Sequence, residues 1–258
     1  MGGDFLLFAV VGFLAQLVDG ALGMAYGVVS ATVLLSVGVS PATASASVHA
    51  AEVFTTAASA TSHLANRNID WKLFWLLAPA GIVGGVAGAY LLTGVEGDMA
   101  RPFVTFYLSL MGVFILYRAF KGVPPHLEPN AKLIAPLGMA GGFVDAAGGG
   151  GWGSVVSSTL VGSGGQPRYV IGTVNTVEFF LTVSVSAAFL FALASGHWSE
   201  ANDLASHAWS VGGLIAGGVL AAPLAGIVVR RVPTRPMMFA VGLLIMALAG
   251  FQTWEALG

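Results

Sequence analysis

Four acidic residues stand inside otherwise apolar stretches and are the side chains best suited to chemistry: Asp19, Glu52, Asp145 and Glu178. An ionised carboxylate in the middle of a bilayer costs about 2.5–3.5 kcal/mol on insertion scales. If these stretches are membranous, the acids must be protonated, hydrogen-bonded or paired. We expect the two aspartates either to cap helix N-termini or to belong with the two glutamates to a proton-coupling polar network. The two glutamates are interpreted either as proton-coupling groups or as partners in interhelical hydrogen bonds.

A run of four glycines follows Asp145 and leads into Trp152-Gly-Ser154. Exposed N–H groups of such a loop can surround an anion, although glycines also allow neighbouring helices to cross closely. The loop lacks the lysine of a nucleotide-binding P-loop. Trp152 and its counterpart Tyr26 are expected to be either cavity gates or core aromatics. The predicted substrate-binding residues are Gly148, Gly149, Gly150, Gly151, Trp152, Ser154, Asn175, His49, Gly23 and Tyr26.

His49 and Glu52 are three residues apart and share one helical face. This spacing also occurs in carboxylate–histidine metal sites. Asn175 occupies the matching position before Glu178, which argues against a metal, and we expect no metal and no cofactor. A proton relay, a polar contact to substrate and a satisfied buried histidine remain as interpretations of His49.

An internal repeat relates these residues. When the sequence is shifted by 126 positions, Asp19 aligns with Asp145, and residues 12–56 align with residues 138–182 without a gap. About 14 of the 45 pairs are identical, including Pro41 with Pro167 and Glu52 with Glu178. We interpret residues 1–120 as a first repeat, 121–131 as a linker loop and 132–258 as a second repeat.

Composition requires a membrane. The chain has 258 residues, of which 56% are hydrophobic and only 9% charged, whereas about a quarter of the residues of a soluble domain are charged. With no cysteine, the chain has neither disulfides nor thiolate metal sites. A net charge of −2 gives no sign of nucleic-acid binding. The apolar segments run over about 4–38, 41–65, 72–94, 100–118, 132–162, 167–195, 207–229 and 235–256.

The basic residues predict which segments cross. If all eight spanned, lysines and arginines would divide evenly between the two sides, against the positive-inside tendency. If 132–162 is a re-entrant hairpin, nine of the ten share one side and only Arg101 lies opposite. By symmetry, 4–38 is expected to be a hairpin too. Each half then has one broken hairpin and three transmembrane helices. Such halves form inverted-topology repeats, with periplasmic termini and a cytoplasmic linker, as is typical of secondary transporters.

Two other functions are weighed. The same hairpins could form an anion channel, which the sequence does not separate from a carrier. An intramembrane hydrolase could use Ser154 with His207. Val28 occupies the position that matches Ser154, so a catalytic serine would not explain the duplication, and we expect no enzyme.

The glycine-rich segments, the matched Pro41/Pro167 and Glu52/Glu178, and the chain length resemble the TauE/SafE sulfite exporter family over essentially the whole chain. The resemblance implies a bacterial inner-membrane exporter of a small sulfur-containing anion, such as sulfite, sulfoacetate or a related organosulfonate. No lysine or arginine lies deep in a span, so an anion would depend on backbone N–H groups, Ser154, Asn175 and His49. Protonation of Glu52 or Glu178 would remove their repulsion, which favours proton-coupled alternating access.

Overall fold

The computed structural model describes residues 2–121, 131–198, 207–231 and 234–257, which form ten α-helices. They are α1 (Gly2–Leu22), α2 (Tyr26–Ser36), α3 (Pro41–Ala65), α4 (Trp71–Thr93), α5 (Gly97–Lys121), α6 (Ala131–Gly148), α7 (Ser158–Gly162), α8 (Pro167–Ala194), α9 (Ala208–Arg231) and α10 (Thr234–Leu257). A π-helical turn, Gly153–Ser157, precedes α7. Within the described residues, α4, α5 and α8 are long and apolar enough to cross a membrane. The predicted all-α class is confirmed.

Helix starts follow local sequence signals. Pro41 and Pro167 occupy the first positions of α3 and α8, where the missing N–H of proline has no helical partner to lose. Asp70 caps α4, because its carboxylate accepts hydrogen bonds from the N–H groups of Lys72 at 2.9 Å and Leu73 at 3.2 Å. Residues 122–130 and 200, to which the linker and topology predictions refer, lie outside the described residues.

Glycines bring two pairs of helices into backbone contact. Along α4 and α6, Leu77 meets Gly138 and Gly88 meets Ala147, so these helices run parallel. Along α1 and α9, Gly213 meets Phe5 and Gly217 meets Ala9, again in parallel. Side chains at these glycines would overlap the facing backbone. The predicted close packing is therefore confirmed: a Cβ atom would overlap facing backbone at Gly84, Gly88, Gly213 and Gly217, and neighbouring side chains at Gly81, Gly85 and Gly218.

Two other pairs run antiparallel. Between α3 and α8, His49 lies near Phe189, and the backbone carbonyl of Asn66, just past α3, accepts a hydrogen bond from Arg168. Between α5 and α10, Thr105 donates to Gln252 at 2.9 Å, and Phe120 packs on Phe239. Each of the four pairs joins a helix from residues 1–120 with one from residues 132–258.

The predicted segments 4–38 and 132–162 are each broken. We call residues 2–36 the first hairpin and residues 131–162 the second hairpin. The backbone beyond α2 lies at the start of α5, where Arg101 donates to the carbonyls of Leu35, Gly38 and Val39 at 3.1 Å each. The end of α7 lies at the other end of α5, where Arg118 covers Gly162. The two hairpins therefore finish at opposite ends of the same helix.

Candidate functional site

The two helix breaks meet in the interior. Gly150, in the second hairpin, lies against the backbone of Gly27, and Gly153 lies against Gly23. A Cβ atom at Gly150 or Gly153 would overlap this facing backbone. Gly149, Gly150 and Gly151 have φ angles of 78°, 146° and 136°, a region that favours glycine. In this conformation the glycines therefore allow two backbone segments to cross closely, which is the second of the two interpretations given above for the glycine run.

Each aspartate points at the start of the helix that follows its break. The Trp152 N–H donates to Asp145 Oδ1 at 2.8 Å. The matching N–H of Tyr26 approaches Asp19 Oδ1 at 3.5 Å, the limit of a hydrogen bond. The predicted capping role agrees with this geometry. The Gly150 N–H donates to the backbone carbonyl of Asp145, and the Trp152 N–H donates to the Asp145 side chain. These two N–H groups are therefore not available to an anion in this conformation.

His49 joins the two halves of the chain. Its Nδ1 lies 2.8 Å from the carbonyl of Ser45, and its Nε2 lies 3.0 Å from Asp145 Oδ2. A carbonyl oxygen only accepts, so Nδ1 must carry a proton and donate. The Ser45 hydroxyl also donates to the carbonyl of Ala146 at 2.6 Å. The start of α3 and the end of α6 are thus tied at two points.

The two glutamates lie in the same buried region. Glu52 is 3% exposed and Glu178 is 7% exposed. Glu178 interacts electrostatically with Asp19, Glu52 and Asp145. Glu52 Oε1 faces Gly27 at the crossing, and Glu52 Oε2 has no hydrogen-bond partner among the described residues. The structure therefore brings all four predicted acids into one cluster.

Asn175 differs from its counterpart His49. Its amide nitrogen donates to the Ser59 hydroxyl at 3.2 Å, while its Oδ1 has no hydrogen-bond partner in the described chain. The same is true of the buried hydroxyls of Ser154 and Ser157, which lie on the π-helical turn. Unpaired buried polar atoms cost about 1–3 kcal/mol each. Atoms left in this state are suitable contacts for a polar ligand. Ser154 is not paired with a histidine, so this arrangement has no serine–histidine dyad.

The two aromatic residues of the breaks are core anchors in this conformation. Trp152 is fully buried, and its Nε1 donates to the Val174 carbonyl at 3.1 Å. Tyr26 is 2% exposed, and its hydroxyl donates to the Leu214 carbonyl at 3.1 Å. Each ring thus attaches a hairpin to a helix of the bundle. The geometry favours the core interpretation over a gate.

Tyr107 also belongs to this site, although no motif in the sequence marks it. It projects from α5, donates its hydroxyl to the Gly150 carbonyl at 3.0 Å, and covers Gly148 and Gly151 with its ring. Its only sequence signal is its position beside the apolar stripe Val104, Leu108, Met111 and Ile115, which marks the buried face of α5.

Within the part of the chain that the structure describes, no three histidine or acidic side chains are grouped so as to hold a metal ion. His49 instead directs Nε2 at Asp145.

Comparisons with known proteins agree with this picture. The family described as "Sulfite exporter TauE/SafE" matches residues 8–251. The chain is 43% identical over 260 residues to the "Probable membrane transporter protein YtnM" of Bacillus subtilis (strain 168), covering 97% of this chain and 84% of that protein. No solved structure matches.

The family match spans nearly the whole chain and includes the second hairpin, the first hairpin from residue 8 onwards, and all four buried acids. Both findings indicate a membrane transporter, which confirms the prediction that the protein is not an enzyme. The chain belongs to the TauE/SafE sulfite exporter family.

Proposed function

We propose that this protein is a secondary transporter that exports sulfite or a related small organosulfonate by alternating access. One observation carries the proposal: the two helix breaks touch at Gly27 and Gly150, beside four buried carboxyl groups and several unpaired buried polar atoms. Broken helices that meet inside a membrane are typical of transporter substrate sites.

Helix directions support two inverted repeats as its framework, each with one re-entrant hairpin and three transmembrane helices. At the shift of the sequence repeat, α3 corresponds to α8, and these two helices run antiparallel. A second pair, α5 and α10, which share an Arg-Pro sequence at Arg101-Pro102 and Arg235-Pro236, is also antiparallel. Corresponding helices that run in opposite directions are what an inverted repeat requires. The hairpins would then enter from opposite sides, since they finish at opposite ends of α5.

The polar atoms at the crossing suit a small anion. The hydroxyls of Ser154 and Ser157 can donate hydrogen bonds, as can the Asn175 amide if it turns from Ser59. We place the anion against these groups and the backbone N–H groups of the Gly148–Gly151 loop. Because Gly150 and Trp152 use their N–H groups on Asp145, a bound anion would recruit them only if this loop shifts.

Four carboxyl groups would repel an anion if all were ionised. The Coulomb energy of two like charges 4 Å apart is about 4 kcal/mol at an effective dielectric of 20. We therefore propose that Glu52 or Glu178 is protonated when the anion is bound, so that transport is coupled to protons. The protein would lie in the bacterial inner membrane, with periplasmic termini and the 121–131 linker in the cytoplasm.

Transport by the purified protein in proteoliposomes tests the proposal. Sulfite, sulfoacetate, isethionate and thiosulfate are supplied separately, and we expect saturable uptake of at least one. Asn175→Ala should raise the half-saturating concentration more than Pro167→Ala, which changes only the start of α8. If the two variants raise the half-saturating concentration equally, Asn175 does not bind the substrate. If single-channel currents are observed, the protein is a channel and not a carrier.

Orientation is tested independently by labelling engineered cysteines, because the chain has none of its own. A cysteine at position 125 should react only with cytoplasmic reagent, and one at position 200 only with periplasmic reagent. Labelling of both from the same side would contradict the proposed topology.

A further inference from the structure

We propose that the His49–Asp145 pair is the proton-carrying latch of the transport cycle: it holds one proton between the repeats, and the second hairpin moves when that proton count changes. The inference rests on the proposed transport function and deepens it. The proposal assigns the transported proton to the His49–Asp145 pair, which connects the two repeats. The sequence suggests Glu52 or Glu178 for this role. The observation that carries it is the pair of contacts made by one buried imidazole ring.

Hydrogen-bond counting fixes the proton number. Nδ1 carries a proton for the Ser45 carbonyl. The 3.0 Å contact between Nε2 and Asp145 Oδ2 then needs one further proton, shared by the imidazole and the carboxyl group. The pair is neutral overall whether it is written as imidazolium with carboxylate or as imidazole with carboxylic acid. A neutral pair is the form whose burial costs least.

Either change in the number of protons weakens the contacts of the pair. Without the shared proton, the Nε2 lone pair faces a carboxylate oxygen, and the contact becomes repulsive. With a second proton, the carboxyl group must place an O–H on Oδ1 or Oδ2. Both oxygens are occupied, since Oδ1 accepts from the Trp152 N–H at 2.8 Å and Oδ2 faces His49. An oxygen that carries a proton is a weaker acceptor than a carboxylate oxygen, so one hydrogen bond of the second hairpin weakens, either to α3 or to the hairpin's own return helix.

The latch exists in only one repeat. At the corresponding position, Asn175 presents an amide, which neither gains nor loses a proton near neutral pH. The described structure shows no hydrogen bond from Asn175 to Asp19, and Asn175 donates to Ser59 instead. A single asymmetric pair predicts one proton for each anion, whereas two equivalent sites would predict two.

Other titratable groups surround the latch on every side. Glu52 lies on the same helix and interacts with both His49 and Asp145. Glu178 approaches from α8, and Tyr107 from α5. Asp19 on α1 and Tyr26 on α2 act on Glu52. These neighbours are acids and phenols, so a proton leaving the pair has a nearby carboxyl acceptor in whichever of Glu52 and Glu178 is ionised.

Isethionate and thiosulfate are suitable probes because both stay ionised over the working pH range, so any coupled proton must be carried by the protein. With one proton per anion, each unit of pH gradient should change the steady-state accumulation about tenfold. In His49→Asn, which copies the second repeat, accumulation should no longer follow the pH gradient, even if uptake slows. His197→Asn, at a histidine stacked on Tyr90 near the end of α4, is the matched control and should behave as wild type.

Three transport results would overturn the latch: a His49→Asn variant that keeps the tenfold response, a hundredfold response in the wild type, or an equal loss in His197→Asn. A readout without transport covers the case in which neither probe moves. Nitrogen NMR of histidine-labelled protein should show one ring protonated at Nδ1 and altered by Asp145→Asn. Uptake failure with this signal present rejects the proposed probe anions and keeps the proton site. If the His49 ring carries no proton at Nδ1, the proposed role of the His49–Asp145 pair is wrong.

Discussion

The two hairpins share a plan but differ in how firmly each is fixed. In the second hairpin, Asp145 bonds Trp152 N at 2.8 Å and His49 at 3.0 Å, and Tyr107 bonds the loop at 3.0 Å. In the first hairpin, Asp19 reaches Tyr26 N at only 3.5 Å. Its break also places a non-glycine residue, Ala25, at φ 105°, which is unfavourable for an L-amino acid.

The difference indicates separate roles for the two repeats. A loop with short bonds to α3 and α5 is preorganised, and its position depends on those bonds. A loop whose aspartate makes only a long contact to the following helix, and which contains a strained residue, has less to lose when it rearranges. We infer that the second hairpin forms the ordered side of the crossing and that the first hairpin adapts to it. The following predictions, in order of decreasing effect, test that contrast.

The largest effect is expected where the hairpins touch. In Gly150→Ala, the new methyl group would overlap the backbone of Gly27, and φ is 146° at this position. Overpacking and strain together should cost about 2–6 kcal/mol. Gly38→Ala is the matched control, because Gly38 has φ 91° with open space around it. Thermal unfolding in detergent should show a much larger loss for Gly150→Ala. Equal losses would mean that strain, not the crossing, sets the cost.

The second prediction compares the aspartates. Asp145→Ala leaves His49 and Trp152 N without their partner, and losing one member of a buried pair costs about 3–5 kcal/mol. Asp19→Ala removes one long contact, and about 1 kcal/mol should be lost. The two melting temperatures measure the contrast directly. If both variants lose the same stability, the hairpins are equally fixed and the proposed division of roles is wrong.

Much of this framework can be predicted from the sequence. The 126-residue shift pairs Asp19 with Asp145 and Pro41 with Pro167, and the structure places these residues at helix breaks and helix starts. Such features are local, since a proline acts at the start of its own helix and each aspartate contacts an N–H group only seven residues further along the chain. The glycine spacing likewise predicts close packing, because a missing side chain has the same effect whichever helix faces it.

The individual partners of the site could not be predicted. His49 reaches Asp145 across 96 positions in the chain, and the repeat offers no guide because Asn175 does not bond Asp19 in the same way. Tyr107 comes from a helix whose aromatic residues mostly face outward, such as Phe103 and Phe106. Which of them turns inward depends on helix rotation, and that is decided by packing with distant segments.

A third, smaller effect is expected from the two tyrosines that hold the hairpins. Tyr107→Phe removes the bond to the Gly150 carbonyl, and Tyr26→Phe removes the bond to the Leu214 carbonyl. Each should cost about 1 kcal/mol in unfolding. The two variants should differ in their rates of uptake. Tyr107→Phe loosens the ordered loop and should slow uptake severalfold, whereas Tyr26→Phe acts on the adaptable first hairpin and should slow uptake less. The reverse order of uptake rates would exchange the proposed roles.

The smallest change in stability should come from Ser154→Ala, which tests whether the second hairpin holds ligand-binding groups as well as structural ones. The buried Ser154 hydroxyl has no partner among the described residues, so its removal should be neutral or stabilising by up to about 1 kcal/mol. Ser158→Ala is the control, because that hydroxyl contacts Met24 Sδ at 3.6 Å. If Ser154 donates to the anion, half-saturation should rise about fivefold to twentyfold in Ser154→Ala alone. Unchanged uptake would assign the hydroxyl to neither folding nor binding, and the anion would then depend on backbone amides and Asn175.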